Sequence, residues 1–592
     1  MTSTTDTQSH IQGSPSFPQL AASLHQSSKQ AIDRALADLQ ANKGSWVSLG
    51  PAHRIEILDE ILPRLEALGG RWVASSLEAK SVRPGTFAEG EEWAILSAVF
   101  TLMHRLRRTL VSILTAPDQE LPHEPSVLPN GGAIVRVFPQ TRLEGLLFRG
   151  VTGEVWLSPV GSPLDLVPPH ASDSNASTSP GGVTLVLGAG NVGAIPPADM
   201  LNKLFLEDQV VALKVNPVNA YLGPLIEDGF SPLVRRGYLR VIYGGTAEGQ
   251  YLCNHEMVDA IHMTGSDKTF DSIVFGDGSE ANARKRANRP VNRKPISAEL
   301  GCVSPVIVVP GPWSDHELRE QAIQVATWLG SNAGFNCLTP RVLIQHREWK
   351  LRNAFLDAIA QVLARVETRA AYYPGADRIH STFVHDHPQS LQIGHPLPGH
   401  LPWTLIPDLD PNSTQDSCFK SEAFCSILGE TSLSAPDPAA FLDRVVPFAN
   451  EVLWGNLSAS ILVHPRTLQD RGTLGALERA INDLHYGTIG VNFFAGYAYL
   501  FMLTPWGAYP GNSLSDIQSG LGYVNNVKLL RNPLKTVYRG SFKKLDPLTV
   551  VSSRGHTFGR QLARFQASPR LSLLPGMLST AIMESIKPGP AA

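Results

Sequence analysis

Cys337 and Glu299 stand 38 residues apart and offer a thiol and a carboxylate, a pair suited to covalent chemistry at a carbonyl. Even with a pKa of about 8.5 a few per cent of a thiol is thiolate at neutral pH, and thiolate adds readily to carbonyl carbon. A carboxylate within reach takes the proton from the thiol or from water. The thiol closes the run Ser331-Asn332-Ala333-Gly334-Phe335-Asn336-Cys337, and the carboxylate opens Glu299-Leu300-Gly301-Cys302-Val303.

Such a pair needs a scaffold, and the surrounding sequence predicts an α/β one. Residues 30–114 carry apolar residues at helical spacing, as in Arg54-Ile55-Glu56-Ile57-Leu58, and predict a helical lead-in. Residues 134–157 change to short β-branched runs with a candidate hairpin turn at Arg149-Gly150-Val151-Thr152-Gly153. The stretch 162–182, rich in Pro, Ser and Asp, predicts an exposed loop. Strand-like Val183–Leu187, Val210–Val215 and Leu239–Tyr243 then alternate with helical stretches, and a short strand ends at Met263-Thr264-Gly265-Ser266; this alternation predicts parallel βαβ units. Gly188, Gly190 and Gly193 match a dinucleotide-binding G-x-G-x-x-G. That fingerprint also needs an acid at the end of the second strand, and Lys214 occupies the place.

Composition narrows the function classes. The chain has 592 residues, 43% of them hydrophobic and 17% charged, and a net charge of −3, so several domains are expected and a nucleic-acid binder is not. Five irregularly spaced cysteines fit a reducing compartment rather than a disulfide scaffold, with Cys253, Cys302, Cys418 and Cys425 as packing residues. No signal peptide is read at the N-terminus, and a cytoplasmic protein is the simplest expectation. Residues 487–511 lack charge over a membrane-spanning length, but Asn492, Pro505 and Pro510 favour buried strand and loop.

In order and spacing these motifs resemble the aldehyde dehydrogenase superfamily over residues 30–520. Asn191 is similar to that family's oxyanion asparagine, and Lys214, twenty-three residues on, to its cofactor-binding lysine. Met263-Thr264-Gly265-Ser266 resembles the segment that meets the cofactor diphosphate, with Gly265 and Ser266 in contact. Glu299-Leu300-Gly301 resembles the segment of the general base, and Asn332 to Cys337 that of the nucleophile. Glu422-Ala423-Phe424 resembles the motif that holds the nicotinamide ribose, and Trp454 to Ala459 and Pro505-Trp506-Gly507 match further landmarks.

The resemblance implies NAD(P)-dependent oxidation of an aldehyde to a carboxylic acid, with Cys337, Glu299 and Asn191 catalytic, Lys214, Gly265, Ser266, Glu422 and Phe424 on NAD or NADP, and no metal. It implies a discontinuous Rossmann-type cofactor domain (30–143 and 182–298) after a disordered tail (1–29). A β-hairpin and loop (144–181) mediating a homodimer or homotetramer, a catalytic domain (299–519) and a basic C-terminal extension (520–592) complete the expected division. Two other readings use the same residues. Coenzyme A in place of water would resolve the Cys337 adduct in an acylating dehydrogenase, or the fold would survive as an inactive binding protein.

The chain departs from the family pattern in several places. Pro217 replaces the acid expected three residues after Lys214, which leaves NADP open beside NAD. Phe335, Cys302 and Val303 make the neighbourhood of the nucleophile apolar, which suggests a bulky apolar aldehyde. Arg284, Lys285, Arg286, Arg289, Arg293 and Lys294 cluster in the insertion 277–294, where a solvated loop and a phosphate contact are the alternatives. From residue 520 onward eleven Lys or Arg stand against two acids, and an oligomer contact, an ordinary charged surface or an anionic membrane surface would each use them.

Overall fold

The computed structural model describes residues 26–115, 124–128, 131–159, 181–543 and 546–586. Nearly all of the expected N-terminal tail and of the loop 162–182 lies outside them. Two sheets organise the α/β fold. The six-stranded sheet runs in the order Gly520–Leu521, Ile296–Leu300, Ala260–Gly265, Gly182–Leu187, Gln209–Lys214 and Leu239–Ile242. All its pairings are parallel except the one between Gly520–Leu521 and Ile296–Leu300. Val183, Leu185, Val186, Val210, Val211 and Leu213 are fully buried, as a parallel sheet covered by helices on both faces requires.

The eleven-stranded sheet carries the other half of the site. Its centre is parallel, with Ser304–Val308 between Ser458–Leu462 and Pro340–His346. The chain leaves the first sheet after Leu300 and enters the second at Ser304, so Glu299 is the last-but-one residue of a cofactor-sheet strand rather than the first of a new domain. The hairpin expected around 144–162 is instead a short helix, Arg142–Leu147, followed by Thr152–Leu157. That strand pairs with Ala133–Phe138 on one side and Pro533–Arg539 on the other.

The boundary expected at 520 is corrected in the same way. Residues 520–539 supply strands to both sheets, and the segment that packs outside them begins near residue 540. Its helix Gly555–Ala567 crosses the long helix Phe87–Thr115 where glycines meet: a Cβ at Gly559 would lie 2.3 Å from the Gly90 carbonyl, and one at Gly90 2.4 Å from that of Gly555. Only backbones without Cβ approach so closely. Residues 487–511 form the strand Thr488–Val491, the helix Ala495–Leu500 and the short strand Trp506–Gly507. Among the described residues no helix is long and apolar enough to cross a membrane.

Candidate active site

The loop that presents Cys337 is strained and heavily braced. Where the helix Asp315–Gly330 ends, Asn332, Ala333 and Gly334 take left-handed φ values of 48°, 58° and 81°. Each non-glycine in such a conformation costs about 1–3 kcal/mol and persists only where its surroundings fix it. Here the Asn332 N–H donates to Glu91 Oε1 (3.1 Å), while Lys80 Nζ and the Tyr372 hydroxyl both donate to Asn332 Oδ1 (3.0 Å each). Lys80 is paired with Glu92 at 2.6 Å and Glu91 with Arg369 at 3.2 Å, all largely buried. Arg341, also buried, donates to the carbonyls of Gly334 (2.7 Å) and Cys425 (2.5 Å). A Cβ at Gly334 would stand 2.4 Å from the Cys425 carbonyl, so glycine is obligatory there.

Asn191 locks onto this loop from the first sheet. Its side-chain amide donates to the Phe335 carbonyl at 2.8 Å, and its own carbonyl accepts from Asn332 Nδ2 (2.9 Å) and the Tyr372 hydroxyl (3.0 Å). One amide hydrogen is thus committed to the loop and the other is left for a ligand. The surrounding glycines serve packing. A Cβ at Gly190 would meet Asn216 at 2.7 Å, and one at Gly193 would meet Leu222 at 3.0 Å, which accounts for the G-x-G-x-x-G spacing without a diphosphate beneath it.

Cys337 Sγ donates to Glu299 Oε1 at 3.4 Å, within the reach allowed for a hydrogen bond to sulfur. Burial, then the charges of Glu299 and Glu422, push the thiol well above its usual range. Burial, then the charge of Asp199, raises Glu299 to about 7. The Trp506 indole approaches Glu299 without a well-formed hydrogen bond, and Glu299 Oε2 has no partner.

A cavity of about 90 Å³ opens on Cys337 and Glu299, walled by Ile195, Trp328, Phe494, Tyr499, Leu500 and Trp506 among others. It is apolar, but it is small; a cavity of about 150 Å³ is the size that accommodates benzene. Phe335 is not in the wall at all: its ring packs on Tyr372, Tyr373 and Phe424, behind the loop. The C-terminal segment closes the cavity instead, with Leu548 in its lining beside Phe87. That segment is pinned by the Tyr497 hydroxyl donating to Asp546 (2.8 Å) and by the Val550 N–H donating to the Thr327 hydroxyl (3.2 Å).

The residues expected on a nicotinamide cofactor lie along the C-terminal ends of the first sheet's strands, where open α/β sheets bind ligands. Lys214 ends its strand, with Nζ donating to the Gly244 carbonyl at 2.7 Å, and burial lowers its pKa to about 8. Gly265 ends the strand Ala260–Gly265, and Ser266 caps the helix Asp267–Phe275 by accepting from the Thr269 N–H. Glu422 lies against Gly301, where a Cβ would overlap its carboxylate; burial raises it to about 7, and its Oε1 has no partner. An unpartnered carboxylate oxygen suits a ribose hydroxyl, and a lysine with a donor to spare suits another, so these residues fit a dinucleotide.

Three of the six basic residues of the insertion are engaged within the protein. Arg284 pairs with Glu280, Lys285 with Asp271 at 2.7 Å, and Lys294 donates to the carbonyls of His255 and Val258. Away from Cys337, donor atoms of His387, Asp416 and Cys418 lie within 4.8 Å of one another. The His387 ring nitrogens face the Phe383 carbonyl and Asp416, so the ring closes the end of its helix. Lys80, Glu91, Glu92 and Tyr372 escaped the sequence reading because each lies far in sequence from most of its partners and follows no local spacing. A charged pair on otherwise apolar helices was the only signal.

The model of the aldehyde dehydrogenase family matches residues 178–377, the segment that holds Asn191, Lys214, Glu299 and Cys337. That segment is similar to the aldehyde dehydrogenase family, and solved aldehyde dehydrogenases share the fold over most of the chain. The γ-glutamyl-γ-aminobutyraldehyde dehydrogenase of Burkholderia cenocepacia superposes with a TM-score of 0.61 at 17% identity, over 89% of this chain and 92% of that one. The 1-pyrroline-5-carboxylate dehydrogenase of Thermus thermophilus gives 0.59 at 16%, over 87% and 86%. An indole-3-acetaldehyde dehydrogenase of P. syringae, solved with NAD+, gives 0.56 at 16%, over 86% and 88%. At such identities the likeness is one of fold. No curated protein matches the chain in sequence.

Proposed function

We propose that the protein oxidises a small, uncharged apolar aldehyde to its carboxylic acid with NAD or NADP. The observation that carries this reading is the 3.4 Å contact of the Cys337 thiol with the Glu299 carboxylate at the end of an apolar cavity. Glu299 accepts the thiol proton as sulfur adds to the aldehyde carbon, giving a thiohemiacetal. The Cys337 backbone N–H and the second amide hydrogen of Asn191 are the donors for the oxyanion. Bound NAD or NADP supplies the hydride acceptor, and a thioester then remains on Cys337. Once the thiol proton has left for solvent, Glu299 takes a proton from water as its oxygen attacks the thioester; the C–S bond breaks, the acid leaves and that proton returns to sulfur to restore the thiol. Lys214 and Glu422 orient the two ribose ends, and Ser266 at its helix start favours the diphosphate.

The apolar wall supports an aldehyde without charge, since Glu91 and Glu299 are the charged residues lining it and Glu91 is held by Arg369. Reduced-nicotinamide absorbance with aliphatic and aromatic aldehydes, NAD and NADP offered separately, tests the reading. Short aliphatic aldehydes should give the strongest signal in the wild type and none in Cys337→Ala. Product formation that requires coenzyme A would replace hydrolysis by the acylating alternative, and no turnover from folded, cofactor-binding protein would favour the binding-protein alternative.

A further inference from the structure

A buried polar stripe leads away from Glu299 in the direction opposite to the cavity. In the parallel pairing of Ala260–Gly265 with Ile296–Leu300, His262 faces Ser297 and Thr264 faces Glu299. The alternation of side chains puts these four on one face of the sheet, beneath the helix Ile195–Glu207. Apolar residues ordinarily fill such a layer. Here Asp199 is 0% and His262 3% exposed. Thr264 Oγ1 donates to Asp199 Oδ2 (3.0 Å), His262 Nε2 stands 3.5 Å from the same oxygen, and His262 Nδ1 bonds the Ser297 hydroxyl at 2.8 Å. Lys203, one turn beyond Asp199, donates to Ser297 Oγ (3.1 Å) and pairs with Glu207 at 2.7 Å. Lys203, Glu207 and Ser297 line an open cleft of about 420 Å³ on the far side. At the inner end Asp199 Oδ1, Glu299 Oε2, His262 Nε2 and the Tyr499 hydroxyl are buried without hydrogen-bond partners.

We propose that Asp199, His262 and Ser297 form a proton exit from Glu299 to this cleft. The inference rests on the hydrolytic dehydrogenase reading, in which Glu299 takes the thiol proton during addition and must lose it before it can take one from water. That proton must reach solvent before hydrolysis, and Glu299 itself is only 4% exposed. Asp199 receives it from Glu299 and passes it to His262 Nε2; the ring releases a proton from Nδ1 through the Ser297 hydroxyl and is left as its other tautomer, which turns back before the next proton passes. The charged or titratable groups facing this path are Cys337 and Tyr499 near Glu299, and Lys203 with Glu207 at the cleft. Asp199 acts electrostatically on both Glu299 and Tyr499.

Rapid-mixing kinetics of His262→Gln and Asp199→Asn test the path, with His380→Gln, a buried histidine bonded to Thr404 in the other sheet, as the control. The first turnover should keep its burst of one reduced nicotinamide per Cys337. Steady turnover should fall about 10²-fold, the low end of the range for a proton-transferring group, with a larger solvent deuterium isotope effect, and His380→Gln should stay near wild type. A burst that falls in parallel with steady turnover, or steady rates and isotope effects unchanged in both variants, overturns the inference. A second arm needs no turnover: iodoacetamide alkylation of Cys337 against pH, read by intact mass. Asp199→Asn removes a negative charge beside the Glu299–Cys337 pair and should move the alkylation midpoint to lower pH; an unmoved midpoint overturns the inference. Absence of aldehyde oxidation by the wild type would strike the parent reading, while the alkylation arm still reports on the Asp199 coupling.

Discussion

The two walls that enclose the Cys337 sulfur differ in kind. Towards the cavity the wall is aromatic and aliphatic, built from Trp328, Phe494, Leu338 and Leu500. Behind the loop it is ionic, with Lys80, Glu92, Glu91, Arg369 and Arg341 all buried or nearly so. The apolar side desolvates thiol and carboxylate and thereby raises both pKa values. The ionic side cannot lower them by reach, because its hydrogen bonds end on loop atoms, at Asn332 and Gly334. Charge here holds geometry, and absence of charge tunes reactivity.

Removing each side in turn breaks this contrast with effects of different size. Glu299→Gln should lower the steady rate by about 10²–10⁴-fold, the range for loss of a general base, and erase the rise in rate through pH 7. The sign follows from the shift. A carboxyl raised to about 7 in the folded state is a base only above that pH, and its contribution to stability is present below its unfolded value of about 4.5 and lost as pH rises through 7. Glu299→Gln should therefore unfold at a higher temperature than wild type at pH 8.5 and at a similar one near pH 4, as read by calorimetry. Lys80→Met leaves Glu92 buried without its partner and should cost about 3–5 kcal/mol in denaturant unfolding. It should also slow the reaction by releasing Asn332, a loss that an apolar-wall substitution of equal destabilisation would not reproduce.

Changes in the apolar wall should act on substrate choice. Leu548→Ala enlarges the cavity at the C-terminal segment and should shift the kcat/KM ratio of hexanal to propanal upward by about 10-fold, the worth of one to two methylenes in a hydrophobic pocket. A ratio that does not move would mean that the segment covers the cavity without limiting it. Lys214→Ala should act on the cofactor alone. Loss of one charged hydrogen bond, about 1.5–3 kcal/mol, should weaken cofactor binding in titrations of intrinsic fluorescence and leave the pH profile in place.

Much of the site was legible in the sequence because its parts sit in short motifs with fixed spacing. Asn191, Lys214, Glu299 and Cys337 each lie at or beside a strand or helix end, where a run of apolar residues gives way to Gly or a polar residue. The alternating strands of the first sheet were legible for the same reason. What brackets the loop was not. Lys80 meets Asn332 across 252 residues and Tyr372 meets Asn191 across 181, and no local pattern records such pairings. The place of Phe335 misled because sequence proximity to a nucleophile does not say which side of a strained loop a ring takes; φ at Ala333 and Gly334 decides it. The C-terminal boundary misled because Pro533–Arg539 carries an ordinary strand pattern whose partners, Thr152–Leu157 and Thr488–Val491, lie hundreds or tens of residues back.

The most direct measurement is the intact mass of Glu299→Gln mixed with a short aliphatic aldehyde and the preferred nicotinamide, followed by peptide mapping. At mildly alkaline pH, where hydroxide takes the thiol proton in place of Glu299 and hydrolysis still lacks its base, one acyl group per chain should accumulate as a thioester on Cys337, with one equivalent of reduced nicotinamide. No adduct from folded protein that binds both ligands, or an acyl group on any other residue, would contradict the assignment of the two roles.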